Sequence, residues 1–165
     1  MPEKETMDRA REDAREGKSA STQAGEFVRE EIHHVREGKH GAASPKQAIA
    51  IGLSKARRAG VKLAAPAKGK TSAKVREQAS RDNRKGRSGA GTKVSARRSR
   101  ATLGALKKES TGTASHKALS QQASASAKRR GASDRHEAAM KAVRTKGAEG
   151  RSEAAKKAAR TRRAA

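Results

Sequence analysis

Fifteen of the 165 residues are Leu, Ile, Val or Phe, and nine of those fifteen lie between Phe27 and Leu63. A strongly charged chain in which these residues fall below roughly 20% usually stays disordered, and this one is well below that level. Backbone ordering costs about 1–2 kcal/mol per residue. A chain this poor in large apolar side chains can offset that cost over one short stretch only. Alanine makes up much of the other apolar content; it favours helix and buries little surface. The expected fold is therefore mostly α: a small helical hairpin over residues 26–63, then a largely disordered or conditionally helical basic tail over 64–165. A hairpin under about 40 residues is marginal by itself. It is expected to lean on a protein partner or a second copy of the chain.

The hairpin can be read residue by residue. Val28, Ile32 and Val35 recur at i, i+4 and i+7, one face of a helix, with Phe27 beside them. Gly38 and Gly41 stop that helix. The run Ser44-Pro45-Lys46-Gln47 predicts the start of the next, with serine at the N-cap, proline at N1 and glutamine at N3. Ile49, Leu53 and Ala56 form its apolar stripe, with Ile51 adjacent. Arg57 and Arg58 fall in its last turn, where cations suit the helix dipole. Gly60 sits at the C′ position, and Val61 supplies the hydrophobic contact of a Schellman motif. The predicted core is Phe27, Val28, Ile32, Val35, Ile49, Leu53 and Val61, with Leu63 folding back over it.

Charge divides the chain differently. Residues 1–40 carry ten acidic and eight basic side chains, whereas residues 41–165 carry seven acidic and 33 basic, so the whole excess behind the net charge of +24 follows His40. Residues 1–25 read as a charged, helix-capable segment. Past Leu63 come five Ala/Lys/Arg/Ser stretches, at 72–84, 95–108, 115–130, 133–146 and 152–163. Each opens on a serine, a good N-cap. EAAMKAVRTK at 137–146 is repeated as EAAKKAARTR at 153–162, sixteen residues on. Paired cations punctuate the region: Arg57-Arg58, Arg97-Arg98, Lys107-Lys108, Arg129-Arg130, Lys156-Lys157 and Arg162-Arg163, with Arg160 nearby.

Several classes are set aside. Cysteine is absent, so no disulfide, thiolate metal site or cysteine nucleophile exists. No apolar run reaches membrane-spanning length, and the first residues lack a signal-peptide apolar region; the expected location is the cytoplasm. Nothing forms a nucleophile–base–orienter set or a Gly-rich phosphate loop, so neither catalysis nor a cofactor is expected. Glu30, Glu31, His33, His34 and Glu37 hold two Glu-x-x-His spacings. One short helix supplies them all, so they read as a solvated polar face and no metal is expected. A helix-turn-helix needs a short turn and a second helix after 47–53, where the first helix instead continues. The run at 44–47 resembles a minor-groove turn but is explained by capping. GRSG at 86–89 lacks the prolines of a minor-groove hook and reads as flexible linker.

The run KQAIAIGLSKARRAG at 46–60 resembles the signature of a family of small, basic bacterial proteins of unknown function, often labelled only hypothetical or DNA-binding. Residues 27–39 look like that family's lead-in helix. The tail, with Ser115-His116-Lys117-Ala118-Leu119 and the two Arg-Thr repeats, looks like the tails of longer members. It is also similar in composition to linker-histone tails.

These readings converge on polyanion binding. Lys and Arg on duplex DNA release condensed counterions whatever the base sequence. Phe27 is the one aromatic side chain, and single-strand and RNA-loop binders rely on aromatic stacking. The expected ligand is double-stranded DNA, held by its phosphates through Arg57, Arg58, Arg97, Arg98, Lys107, Lys108, Arg129, Arg130, Lys156, Lys157, Arg160, Arg162 and Arg163, in a histone-like, nucleoid-associated role. The alternatives are an RNA- or ribosome-associated basic protein, and a protein-binding adaptor whose tail only localises it.

Overall fold

The computed structural model describes residues 2–88 and 95–163. They are mostly helical: α1 (Lys4–Arg15), α2 (Ala20–Arg36), α3 (Pro45–Arg58), α4 (Ala73–Ser88), α5 (Ala96–Lys107), a 3-10 turn (Gly112–Ala114), α6 (His116–Arg129) and α7 (Ala132–Arg163). The chain divides into two compact units, Met1–Ser120 and Gln121–Ala165.

In the first unit, three helices end in the same way. Gly17, Gly38 and Gly60 take positive φ of 70°, 73° and 95° just past α1, α2 and α3. The next N–H then reaches back to the helix: Lys18 to Asp13 O at 2.8 Å, Lys39 to His34 O at 3.0 Å, and Val61 to Ala56 O at 3.1 Å. These are Schellman closures, and left-handed backbone is what glycine supplies without a Cβ penalty. At its start, α3 is capped by Ser44 Oγ, which accepts the Gln47 N–H at 3.2 Å. Gln47 Oε1 reaches one residue further back than a capping box requires, to the Ala43 N–H at 2.7 Å.

The face of α3 that meets α2 differs from the predicted stripe. Ala48, Gly52 and Ala56 are the buried positions, one every four residues, while Ile49 and Leu53 are only half-buried. Gly52 explains the shift. A Cβ there would stand 2.6 Å from Val28 Cα and 3.0 Å from the Phe27 carbonyl oxygen. The helices touch backbone to backbone, so small residues face inward and larger ones flank the seam. Two clusters fill the rest. Ala10, Ala24, Phe27 and Ala56 form one, with Met7, Leu53, Val61 and Leu63 against it. Ile32, Val35, Ala42, Ala48 and Ala114 form the other, with Val28 and Leu119 packed on it. Of the predicted core, Phe27, Ile32 and Val35 are buried, Val28, Leu53 and Val61 pack at the margins, and Ile49 joins neither cluster.

Nor does the packed region stop at Leu63, and the predicted disordered tail is a run of helices. α4 lies on α3, burying Ala79 and Asp82. Gly86, read as linker, sits in that helix so close to α3 that a Cβ would be 2.0 Å from the Arg57 carbonyl oxygen; Gly89 lies outside the described residues. Ser54 donates to Asp82 Oδ2 at 2.6 Å, and Asn83 Nδ2 to Leu63 O at 3.0 Å. Further along, the Gly41 N–H reaches Leu106 O at 2.9 Å and the Ala42 N–H reaches Ser110 O at 3.1 Å. Arg36 Nε donates to Ala114 O at 2.8 Å. Glycine and alanine contacts, with buried polar bonds, thus extend the fold where large apolar residues are lacking. The charged N-terminal segment joins it too, as α1 packs on α2 with Thr6, Ala10 and Asp13 buried.

The second unit holds the remainder of α6 and all of α7. Gly147 interrupts α7 with φ 64° and ψ −174°, a region essentially confined to glycine. The break falls between the two copies of the sixteen-residue repeat.

Candidate nucleic-acid interface

Serine caps and terminal cations position the basic side chains. Ser72 Oγ accepts from the Val75 N–H at 3.4 Å and Ser115 Oγ from the Ala118 N–H at 3.3 Å, whereas Ser95, at the N-cap of α5, makes no such bond. Lys and Arg occupy the last turns of α4, α5, α6 and α7, where the helix dipole favours them.

Every described lysine and arginine from Arg97 to Arg163 has an exposed side chain. Residues 95–163 carry nineteen basic and five acidic side chains. Arg97 and Arg98 stand on the first turn of α5, Lys107 and Lys108 at its end, Arg129 and Arg130 at the end of α6, and Lys156, Lys157, Arg160, Arg162 and Arg163 along the last turns of α7. Glu153 pairs with Lys156 at 3.0 Å, an exposed contact that a phosphate can displace at little cost. On α4, Arg76, Ser80 and Arg84 share one face and, with Glu77 and Arg81, line a shallow groove; the paired-cation pattern did not single them out.

Arg57 and Arg58 are placed differently. Arg57 is buried at 8% exposure, its Nη2 donating to Ala64 O at 3.3 Å and its Nε meeting no acceptor. Burial pushes this guanidinium below its usual pKa, with Asp82 opposing the shift. It faces the protein interior. Arg58 is exposed but engaged: its Nη2 donates to Ser54 Oγ at 2.6 Å, and its Nε lies 3.3 Å from Asp82 Oδ1. This pair belongs to the α3–α4 contact.

The supposed solvated face of α2 also needs correcting. Glu30 and Glu31 are 4% and 0% exposed. Lys55 of α3 reaches both, with Nζ 3.1 Å from Glu30 Oε1 and 2.7 Å from Glu31 Oε2. Glu30 also accepts the Glu3 N–H at 3.0 Å. Burial alone would raise the Glu30 pKa, but the Glu3 N–H, Lys55 and Thr6 outweigh it and hold the carboxyl below its ordinary value. Burial likewise works against the charge on Lys55, and Glu31 and Glu30 overcome it, lifting the ammonium above its ordinary value. A hydropathy pattern assigns such charges to water, because their partner lies on another helix.

Among the described residues, no helix is long and apolar enough to cross a membrane. No curated protein and no solved structure matches the chain. Residues 15–69, which include α2, α3 and the run at 46–60, match the model of a family described as a family of unknown function (DUF6496).

Proposed function

We propose that this protein binds double-stranded DNA through its phosphate backbone, with little regard for base sequence, in a nucleoid-associated, histone-like role. The observation that carries this reading is the uniform exposure of the described lysines and arginines from Arg97 to Arg163 on helices that commit almost none of them to packing. Cations held on helices and open to solvent attract a polyanion and release its counterions on contact. Phe27, the one Phe, Tyr or Trp residue, is 1% exposed, so no such ring is left for base stacking. That favours a duplex over a single strand. The Met1–Ser120 unit contributes the α4 and α5 cations and a packed body.

The test is the salt dependence of binding to random-sequence duplex. Contact with at least about six phosphates gives a slope of log K against log salt of roughly −5 or steeper. A slope shallower than about −2 would mean too few phosphates for this charge and would overturn the reading.

A further inference from the structure

Apart from the basic surface, the least expected feature of the molecule is a largely buried trio at and just past the end of α2. Glu31, His34 and His40 each offer one ligand atom, and the three atoms lie within 4.8 Å of one another. Their side chains are 1%, 13% and 10% exposed, and His34 Nε2 also meets Glu3 Oε1 at 2.8 Å, a contact the ion would displace if it takes that nitrogen. Glu31 and His34 share one face of α2 through their i, i+3 spacing. His40 is delivered by the turn that Gly38 closes.

His40 is the informative member. Its Nδ1 lies 2.9 Å from the Gly41 carbonyl oxygen. A carbonyl only accepts, so Nδ1 carries the proton and donates. The other ring nitrogen, Nε2, stands 3.3 Å from Glu31 Oε1. Neither Glu31 oxygen is met at hydrogen-bonding angles, even though Lys55 is close to Oε2. A carboxylate buried without a hydrogen bond, next to an imidazole nitrogen, is a place where a cation would be held. With metal–ligand bonds of about 2.0–2.1 Å, neighbouring donors of a tetrahedral site stand about 3.3 Å apart. The Glu31–His40 separation already has that value, and donors converging on a third point do not align on each other. An Nδ1–H held by a backbone carbonyl is also the usual arrangement behind a metal-bound histidine.

We propose that Glu31 Oε1, His34 and His40 Nε2 bind one divalent transition ion of the zinc class. Two imidazoles and a carboxylate suit zinc among such ions. Lys55 stays on Oε2, leaving Oε1 to the ion. A surface groove lined by Glu3, His34, Glu37 and Lys39 reaches one member of the trio, His34. The ion would fasten the loop after α2 to that helix, in a unit whose largest buried apolar side chains are few. Metal binding of this kind adds directly to folding free energy.

The experiment is a cobalt(II) titration of the untagged, chelator-stripped full chain, followed by displacement with zinc. The expected result is uptake of one cobalt per chain with a visible d–d absorption band, abolished by zinc, and a rise in melting temperature with either ion. Loss of a group that only orients a metal ligand weakens binding by about 10–100-fold, so His40→Ala is expected to weaken it by at least about a hundredfold. His34→Gln, less buried and safer for folding, should do likewise, while His33→Ala on the exposed side of α2 should leave affinity unchanged. Failure to take up one ion per chain, or equal affinity in wild type and His34→Gln, would overturn the proposal. DNA binding by the α5–α7 cations does not enter either outcome.

Discussion

Gly52 of α3 lies so close to Val28 of α2 that a β-carbon added to it would stand 2.6 Å from the Val28 Cα. Backbone cannot step aside as a flexible side chain can. Gly52→Ala is therefore expected to push the two helices apart and lower stability by about 2 kcal/mol, within the usual range for overpacking, despite alanine's better helix propensity. Gly104 in α5 is the control, because a Cβ there meets nothing within 4 Å. Gly104→Ala should stabilise α5 by up to about 1 kcal/mol. Urea denaturation of both variants gives the comparison; a neutral Gly52→Ala would mean the seam is looser than described.

The buried Glu30–Lys55–Glu31 group sets a pH window. The lowered Glu30 pKa contributes stability above the unfolded carboxylate value of about 4.3, and that contribution disappears as pH falls through the lower folded value. The raised Lys55 pKa contributes below about 10.4 and is lost as pH rises through the higher folded value. Lys55→Met leaves two buried carboxylates without their cation. A loss of about 3 kcal/mol is expected near neutral pH, the low end for a broken buried pair, since Lys55 keeps some contact with water. The gap between variant and wild type should narrow as pH falls through the lowered Glu30 value, where that carboxyl protonates in the wild type as well. Denaturation at a series of pH values measures both effects.

Arginines that look alike in the sequence should separate in experiment. Arg57→Ala removes a buried stem and the bond to Ala64 O. It is expected to lower stability by about 1 kcal/mol and to leave the salt slope of DNA binding unchanged. Replacing Arg97 and Arg98 together should keep stability within about 0.5 kcal/mol and flatten the slope by about 0.9 for each phosphate left without its cation. The reverse pattern would place the interface on α3.

Caps test whether the later helices stand in the free chain. Ser115 Oγ caps α6 through the Ala118 N–H, so Ser115→Ala should destabilise that helix by about 1 kcal/mol. Ser95 makes no cap bond, and Ser95→Ala should be close to neutral. Amide exchange across α5 and α6 in the absence of DNA reads the difference; coil-like rates in both, in wild type, would contradict the helical description.

Local signals were well expressed in the sequence. Gly38 and Gly60 ended their helices, Ser44 started α3, and Ser72 and Ser115 opened helices where a serine followed by alanine-rich text predicted them. Position across the molecule was much less legible. Periodicity weighs side chains by size and polarity, so it chose Ile49 and Leu53 over Ala48 and Gly52; only the approach of α2 reverses that choice. The same bias turned Glu31 outward, since its neighbours Lys55 and His40 are supplied by other segments. Likewise, α4 carries no wide apolar face, and what attaches it is a glycine against a carbonyl and an aspartate against a serine. Most of the basic surface could be read directly, because exposed charge asks nothing of its neighbours. Arg57 and Arg58 were the exceptions, cations recruited into the α3–α4 contact.

The backbone reversal at Gly147 has a geometric consequence for the repeat it divides. At 3.6 residues per turn, sixteen residues advance a helix by about 160° beyond whole turns. In an unbroken α7 the copies at 137–146 and 153–162 would look out on nearly opposite sides, and a single rod-like polyanion could meet only one of them. A glycine in a non-helical conformation resets the azimuth between them. The two copies therefore do not share one helical phase, and the offset between their faces is set by that glycine instead of by the repeat length.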